Sequence, residues 1–196
     1  MKTFTSRWQQ FDWDDIRLRI NSKTPADVER ALNAPRRSRE DMMALLSPAA
    51  QAYLEPLAQQ AQRLTRQRFG NTVSFYVPLY LSNLCANECT YCGFSMSNRL
   101  RRKTLDEGEI ARECDALQAL GFDHLLLVTG EHQTKVGMDY FRQHLPTIRQ
   151  RFASLQMEVQ PLAQDEYAEL KTLGLDGVMV YQETYHEGCY ARHHLR

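Results

Sequence analysis

Three cysteines, Cys85, Cys89 and Cys92, lie within the eight-residue stretch CANECTYC. Gaps of three and two residues let one tight loop direct three thiolates at a single cubane iron-sulfur cluster. Three cysteines leave one iron without a protein ligand, so another molecule must complete its coordination. The spacing therefore predicts a 4Fe-4S cluster with one open iron.

Other uses of these cysteines fit the sequence less well. A structural zinc site usually takes four Cys or His ligands in two paired groups, and the sequence has no second CxxC-type pair. Three crowded cysteines also suit metal or redox chemistry better than the disulfide framework of a secreted protein. Cys114 falls on the apolar stripe of a predicted helix, and we expect it to be a core residue instead of a fourth ligand.

The composition points to a protein that acts on small molecules or proteins. The chain has 196 residues with 24 basic and 24 acidic side chains, so its formal net charge is zero. A neutral chain offers no electrostatic attraction to nucleic acid or to an anionic membrane surface. No stretch approaches eighteen uninterrupted apolar residues, and the N-terminus has no apolar leader. These features predict a cytoplasmic protein without nucleic-acid or membrane partners.

Residues 1–70 are predicted to form a helical region, because they show no alternating strand pattern and no glycine before Gly70. Thr24 and Ser38 precede acidic turns and are predicted N-caps, with Pro25 at the first helical position. After Ser47 apolar residues recur at helical spacing, which predicts a helix that packs one stripe on a core. The stripe comprises Tyr53, Leu54, Leu57, Ala61, Leu64 and Phe69.

Residues 71–196 are predicted to form an α/β domain. Strands are expected near 73–81, 124–129, 155–160 and 176–181, and helices near 104–121, 138–151 and 165–173. Strict alternation with short connections indicates parallel strands with right-handed crossovers, in either a barrel or a doubly wound sheet. No GxGxxG motif follows the first strand. We therefore expect a partial (β/α) barrel of about four strand-helix units.

Polar residues follow each predicted strand at its carboxyl end, where β/α barrels place their chemistry. After the cysteine loop these are Gly130 and Glu131, then Gln160, and finally the segment Tyr181-Gln182-Glu183. A glycine followed by an acid allows close backbone approach to a ligand, while the carboxylate holds an ammonium group. We expect these groups to lie together at one face of the barrel.

The cysteine spacing, with Tyr91 directly before the third cysteine, resembles the motif of the radical S-adenosylmethionine (SAM) enzymes. The resemblance implies that Cys85, Cys89 and Cys92 hold the cluster and that SAM chelates the open iron. Thr129-Gly130-Glu131 resembles the GGE element that contacts the methionyl amine of SAM, with Thr in place of the first Gly. Tyr91 is then expected near the adenine, and Gln182 is assigned to SAM binding.

Longer segments resemble the 2-iminoacetate synthases (ThiH), the tyrosine lyases of thiamine biosynthesis. These segments are FYVPLYLSNLCANECTYCGFSMSNR, LLLVTGEHQ, MEVQPL and VMVYQETYH. The resemblance implies hydrogen abstraction from L-tyrosine by a 5'-deoxyadenosyl radical, then cleavage of the Cα–Cβ bond to 2-iminoacetate and p-cresol. Glu183, Gln160 and Tyr181 are assigned to catalysis, without separate roles. Implied partners are a thiazole synthase and an electron donor such as flavodoxin.

Two alternatives remain open from the sequence. Another tyrosine-using radical SAM enzyme, of the hydrogenase-maturation or deazaflavin-precursor type, would share this core. The resemblance also implies two further strands and a further domain after Arg196, so the chain could be an inactive iron-sulfur-binding fragment.

Residues 98–103 carry four positive charges, and we expect a solvated loop that could receive the electron donor. The nearby His186, Cys189, His193 and His194 lack the regular spacing of a second metal site.

Overall fold

The computed structural model describes residues 3–196, which form two compact units, residues 3–73 and Ser74–Arg196. The described part of the first unit is helical. Its elements are α1 (Phe4–Trp8), α2 (Trp13–Asn21), α3 (Pro25–Asn33), α4 (Arg39–Leu45), a 3-10 helix (Pro48–Tyr53) and α5 (Leu54–Phe69). The sequence placed the boundary between the regions at residues 70 and 71.

Thr24 and Ser38 are the N-caps of α3 and α4, as the sequence predicted, and the structure shows that each belongs to a capping box. The Thr24 hydroxyl accepts a hydrogen bond from the Asp27 backbone N–H, and the Asp27 carboxylate accepts one from the Thr24 N–H. Ser38 and Asp41 form the same reciprocal pair at the start of α4. Each box satisfies backbone N–H groups that have no partner within the helix.

The core of the first unit is small and does not include α5. It comprises Val28, Ala31, Ala44 and Ala50. The predicted packing of the α5 stripe is wrong, because α5 has no buried residue and Leu54, Leu64 and Phe69 are 45–71% exposed. Periodicity defines an apolar face but cannot supply a surface to cover it.

Among the described residues, no helix has both the length and the apolarity needed to cross a membrane.

The second unit alternates strands and helices around one parallel sheet. Its elements are β1 (Val77–Ser82), α6 (Glu107–Ala119), β2 (His124–Thr129), α7 (Met138–Arg149), β3 (Ser154–Glu158), α8 (Gln164–Thr172), β4 (Gly177–Met179) and α9 (Glu187–His193). The strands lie in the order β1-β2-β3-β4, and each pairs in parallel with the next. All four carboxyl ends therefore meet at one edge of the sheet.

The two outer strands are shorter than the sequence predicted. β1 begins at Val77 because pairing with β2 begins at Leu125, and Phe75 and Tyr76 lie exposed before it. Pro78 is tolerated in β1 because this strand is at the edge of the sheet, where one side of the backbone needs no partner. β4 keeps only three residues, because its pairing with β3 ends at Met179.

The core of the second unit packs helices against the sheet. Leu125 and Leu127 of β2, Phe141 of α7 and Leu155 of β3 are each at most 2% exposed. Burial of each such side chain stabilises the fold by about 1.5–3 kcal/mol. Cys114 is also in this core at 1% exposed, which confirms the expectation that it is a packing residue. The core leaves the strand ends free to carry polar groups.

Candidate active site

A cavity of about 570 Å³ opens at the carboxyl ends of the four strands. Nine of the ten predicted site residues line it: Cys85, Cys89, Tyr91, Cys92, Gly130, Glu131, Tyr181, Gln182 and Glu183. The tenth, Gln160, is not among the lining residues. Because parallel strands end at the same edge, residues separated by about a hundred positions are brought to one cavity.

The cysteine loop follows β1 directly and is folded by its own backbone hydrogen bonds. The Cys92 N–H donates to the Cys89 carbonyl over 3.3 Å, and the Met96 N–H donates to the Asn87 carbonyl over 2.9 Å. The Phe94 N–H points at Cys92 Sγ, 3.4 Å away. Backbone N–H groups directed at cysteine sulfurs tune the potential of an iron-sulfur cluster.

The three cysteines of the loop are available as ligands. All three are free and half-buried. The pKa of the Cys89 thiol is raised, mainly by burial and to a smaller extent by the nearby Cys92 and Cys85. Within residues 3–196, no three Cys, His, Asp or Glu side chains converge closely enough to hold one ion.

Gly130 and Glu131 lie against the start of the cysteine loop. The Gly130 N–H donates to the Ser82 carbonyl over 3.0 Å, and the Ala86 N–H donates to the Glu131 carbonyl over 2.8 Å. A Cβ atom at Gly130 would lie 2.3 Å from the Leu84 carbonyl oxygen, so only glycine permits this approach. The Glu131 side chain is exposed to the cavity, where its carboxylate can receive an ammonium group.

Tyr91 connects the cysteine loop to the segment after β4. Its hydroxyl donates to Glu183 Oε1 over 3.0 Å and shares a 2.6 Å hydrogen bond with His194 Nε2. His194 Nδ1 lies 3.0 Å from the Tyr190 carbonyl, which can only accept, so Nδ1 carries a hydrogen. The pKa of the Tyr91 hydroxyl is raised, mainly by partial burial and next by its hydrogen bond to Glu183. Tyr91 therefore remains a neutral hydrogen-bonding group at physiological pH.

The last residue of α9 and the residues after it also pair with the cysteine loop, a contact that sequence reasoning missed. The Leu195 N–H donates to the Glu88 carbonyl over 2.8 Å, and the Thr90 N–H donates to the His193 carbonyl over 2.9 Å. Thr90 Oγ1 also lies 3.0 Å from His193 Nδ1. The paired histidines were the only sequence signal for this contact, since backbone pairing leaves no residue pattern.

The three residues assigned to catalysis occupy different environments. Tyr181 is 71% exposed at the cavity, and Glu183 holds the Tyr91 hydroxyl. Gln160 is only 3% exposed, and its amide donates to the Val136 carbonyl over 3.1 Å while its Oε1 has no partner. Gln160 is thus buried and does not line the cavity, and its catalytic assignment stays a prediction. Gln182 is exposed, and its amide donates to the Thr184 carbonyl over 2.8 Å.

The segment 98–103 is not a solvated loop throughout, so that expectation is wrong for Arg102. Its guanidinium is half-buried and donates to backbone carbonyls of the cysteine loop region. Arg99 and Arg101 are exposed, whereas exposed Lys103 forms an ion pair with Glu109. Charge density alone could not distinguish the one arginine that turns inward.

Comparisons with known proteins agree with this geometry. The sequence profile of the radical SAM superfamily matches residues 79–196. The chain is 81% identical over its full length to a 2-iminoacetate synthase of Salmonella typhimurium LT2 and 80% identical to one of Escherichia coli K12. It covers 52% of each of these proteins, so it spans about half the length of the curated relatives it matches.

A solved structure has the same fold. A crystal structure of HydG, a maturase of the [FeFe]-hydrogenase, superposes with a TM-score of 0.84 at 27% identity. The match covers 94% of this chain and 44% of that one. Together with the parallel order of the four strands, it confirms the predicted partial (β/α) barrel.

Proposed function

This chain belongs to the radical SAM superfamily, and we propose that its activity is that of a 2-iminoacetate synthase. The substrate would be L-tyrosine, and cleavage of the Cα–Cβ bond would give 2-iminoacetate and p-cresol. One tyrosine hydrogen would leave with 5'-deoxyadenosine, so the p-cresol fragment would take up a proton and an electron, and a further electron from the reductant would cleave SAM. SAM would leave as methionine and 5'-deoxyadenosine.

The observation that carries this proposal is the identity of 80–81% along the whole chain to two curated 2-iminoacetate synthases. The predicted site residues that line the cavity fall within that matched length. The hydrogenase-maturation alternative has weaker support, because HydG matches at 27% identity. A similar fold is compatible with both activities, so the fold does not distinguish them. The higher sequence identity favours the 2-iminoacetate synthase.

Enzymes of the superfamily use a 4Fe-4S cluster and SAM. When both are bound, they supply a 5'-deoxyadenosyl radical that can abstract a hydrogen atom. In this chain Cys85, Cys89 and Cys92 would hold three of the irons. The Glu131 carboxylate would receive the methionyl ammonium of SAM, and Tyr91 would lie near the adenine. Gln182 would supply a further polar contact.

Side chains of the chain must also keep water from the reaction, because an alkyl radical takes hydrogen from any accessible donor. Apolar groups form part of the cavity wall: Val128, Val159, Pro161, Met179 and Val180. Tyr181 and Glu183 lie at the same cavity and would orient tyrosine through its polar head group or phenol. Gln160, buried between the cavity-lining residues Val159 and Pro161, would be the third residue that takes part in catalysis.

We further propose a cytoplasmic location, a complex with a thiazole synthase that consumes 2-iminoacetate, and reduction by an acidic donor such as flavodoxin. The free thiols suit a reducing compartment. Arg99 and Arg101 expose positive charge next to the cysteine loop, which would attract an acidic donor.

The test is anaerobic cluster reconstitution of the chain, followed by SAM, dithionite and L-tyrosine. Formation of both 5'-deoxyadenosine and p-cresol is the expected result. Cys89→Ala should lose the cluster and both products, whereas Cys189→Ala, which removes a cysteine outside the motif, should keep them.

Two other outcomes separate the parts of the proposal. 5'-Deoxyadenosine that forms without p-cresol, in amounts independent of tyrosine, would favour the alternative that these 196 residues are a fragment inactive toward tyrosine, while leaving SAM cleavage intact. A folded chain that takes up no iron would refute the assignment of the cysteine loop.

A further inference from the structure

Arg102 is bonded to the backbone on both sides of the cysteine motif. Its Nη1 donates to the Asn83 carbonyl over 2.7 Å and to the Phe94 carbonyl over 2.8 Å. Its Nη2 donates to the Ser95 carbonyl over 2.6 Å. Longer contacts reach Met96 at 3.5 Å and Asn98 at 3.3 Å.

These contacts join the residue that leaves β1 to the residues that follow Cys92. Asn83 lies two positions before Cys85, and Phe94 lies two positions after Cys92. One planar guanidinium therefore fixes the two ends of the loop that carries all three cysteines. Only arginine presents several N–H donors in a rigid plane suited to this task.

Asn83 holds Arg102 in place from the other direction. Its side-chain amide donates to the Arg101 carbonyl over 2.9 Å, and its Oδ1 accepts from the Lys103 N–H over 2.7 Å. The Asn83 and Lys103 backbones are also paired, at 3.1 Å. The arginine thus projects from a strand-like segment that is itself fixed to the exit of β1.

The charge of Arg102 is not neutralised by an acid. Across residues 3–196 no carboxylate lies within ion-pair distance of its guanidinium, whose hydrogen bonds go to backbone carbonyl oxygens. The Asn83 and Phe94 carbonyls that bind this half-buried cation lie two residues from Cys85 and two residues from Cys92, which places its charge near the loop that carries the three thiolates. The same charge would favour the reduced, more negative state of a bound cluster.

We propose that Arg102 is a positioning residue that shapes the cysteine loop before the cluster binds and raises the reduction potential of the bound cluster. This inference rests on the proposed function only in requiring that the three cysteines hold a cluster. The proposal depends on two properties of the guanidinium that can be tested separately. Its several N–H donors in one plane shape the loop, and its positive charge raises the reduction potential.

Arg102→Lys and Arg102→Met separate those properties in the cluster-loaded chain. We expect Arg102→Met to lose iron to a chelator about 10-fold faster than wild type or more, and to show a more negative midpoint potential. Arg102→Lys should keep the wild-type potential but lose iron faster, because a point charge cannot bridge both loop ends. Arg101→Met, which removes an exposed charge from the same segment, should match wild type within about twofold.

Hydrogen exchange on the wild-type chain without a cluster tests the proposal even if the Arg102 variants fail to fold. The Ala86 and Met96 amides should be protected, because the loop is formed in advance. Exchange of both at unprotected rates would overturn preorganisation. A potential in folded Arg102→Met equal to that of Arg101→Met would overturn the electrostatic role. If the cluster-loaded chain formed no p-cresol, that result would count against the proposed function and not against the role of Arg102.

Discussion

Glu131 contributes two groups with different purposes. Its backbone carbonyl accepts from the Ala86 N–H and so fixes the first cysteine turn, whereas its side chain is exposed to the cavity. Substitution of the side chain leaves the backbone contact in place. The structural and binding contributions of this residue can therefore be measured separately.

We predict that Glu131→Gln binds SAM about 10-fold more weakly, a loss of ~1.4 kcal/mol, because a neutral amide replaces the charged partner of the ammonium group. Its cluster content should equal that of wild type. Anaerobic equilibrium dialysis with labelled SAM measures the affinity, and iron analysis measures the cluster.

Glu158→Gln is the matched control, because Glu158 is a second carboxylate at the same cavity. Equal losses in the two variants would mean that the total charge of the cavity, and not contact with Glu131, determines SAM affinity.

At the scale of elements, the ends of β1 and β2 must approach closely for the site to form. Their pairing shifts register between Tyr80 and Ser82, which pairs with Thr129. Directly afterwards Gly130 passes beside Leu84 and Cys85, where a Cβ atom would lie 2.3 Å from a backbone oxygen. The position of the cysteine loop thus depends on the absence of a side chain on the neighbouring strand.

Gly130→Ala is predicted to destabilise the second unit by about 1–3 kcal/mol, because the added methyl group must displace backbone. It should also reduce cluster uptake, which iron analysis and the ultraviolet-visible spectrum of the reconstituted chain measure. Gly93→Ala is the control, because Gly93 is in the cysteine loop yet has open space around its Cβ position. If both variants took up iron equally well, close approach at Gly130 would be irrelevant to the site.

At the scale of the whole molecule, the sheet of the second unit ends in an exposed strand. Within residues 3–196, β4 pairs with β3 alone, and Val178, Val180 and Tyr181 near its end are 46–71% exposed. An apolar strand edge with free backbone groups is a template for pairing with another chain. We expect this edge to dominate self-association of the chain.

Val178→Lys is predicted to reduce self-association, because charge on an edge strand opposes pairing with a second copy. Light scattering at increasing protein concentration measures the effect. Ala168→Lys places the same charge on the exposed surface of α8 and should behave as wild type. A similar decrease in both variants would attribute the effect to net charge and not to the strand edge.

The sequence alone determined the features that depend on local chemistry. Thr24 and Ser38 cap helices because a cap needs only residues three positions apart. β2 has the predicted bounds His124–Thr129, because its continuous apolar run can be satisfied only inside a sheet. The spacing of Cys85, Cys89 and Cys92 indicated the cluster for the same local reason.

Tertiary structure decided what depends on partners distant in sequence. Arg102 turns inward because carbonyls at both ends of the cysteine loop converge on it, while the buried Gln160 bonds to the Val136 carbonyl. His193 and His194 meet Thr90 and Tyr91 across about a hundred residues. The apolar stripe of α5 stayed exposed because periodicity specifies a face and not the surface that covers it.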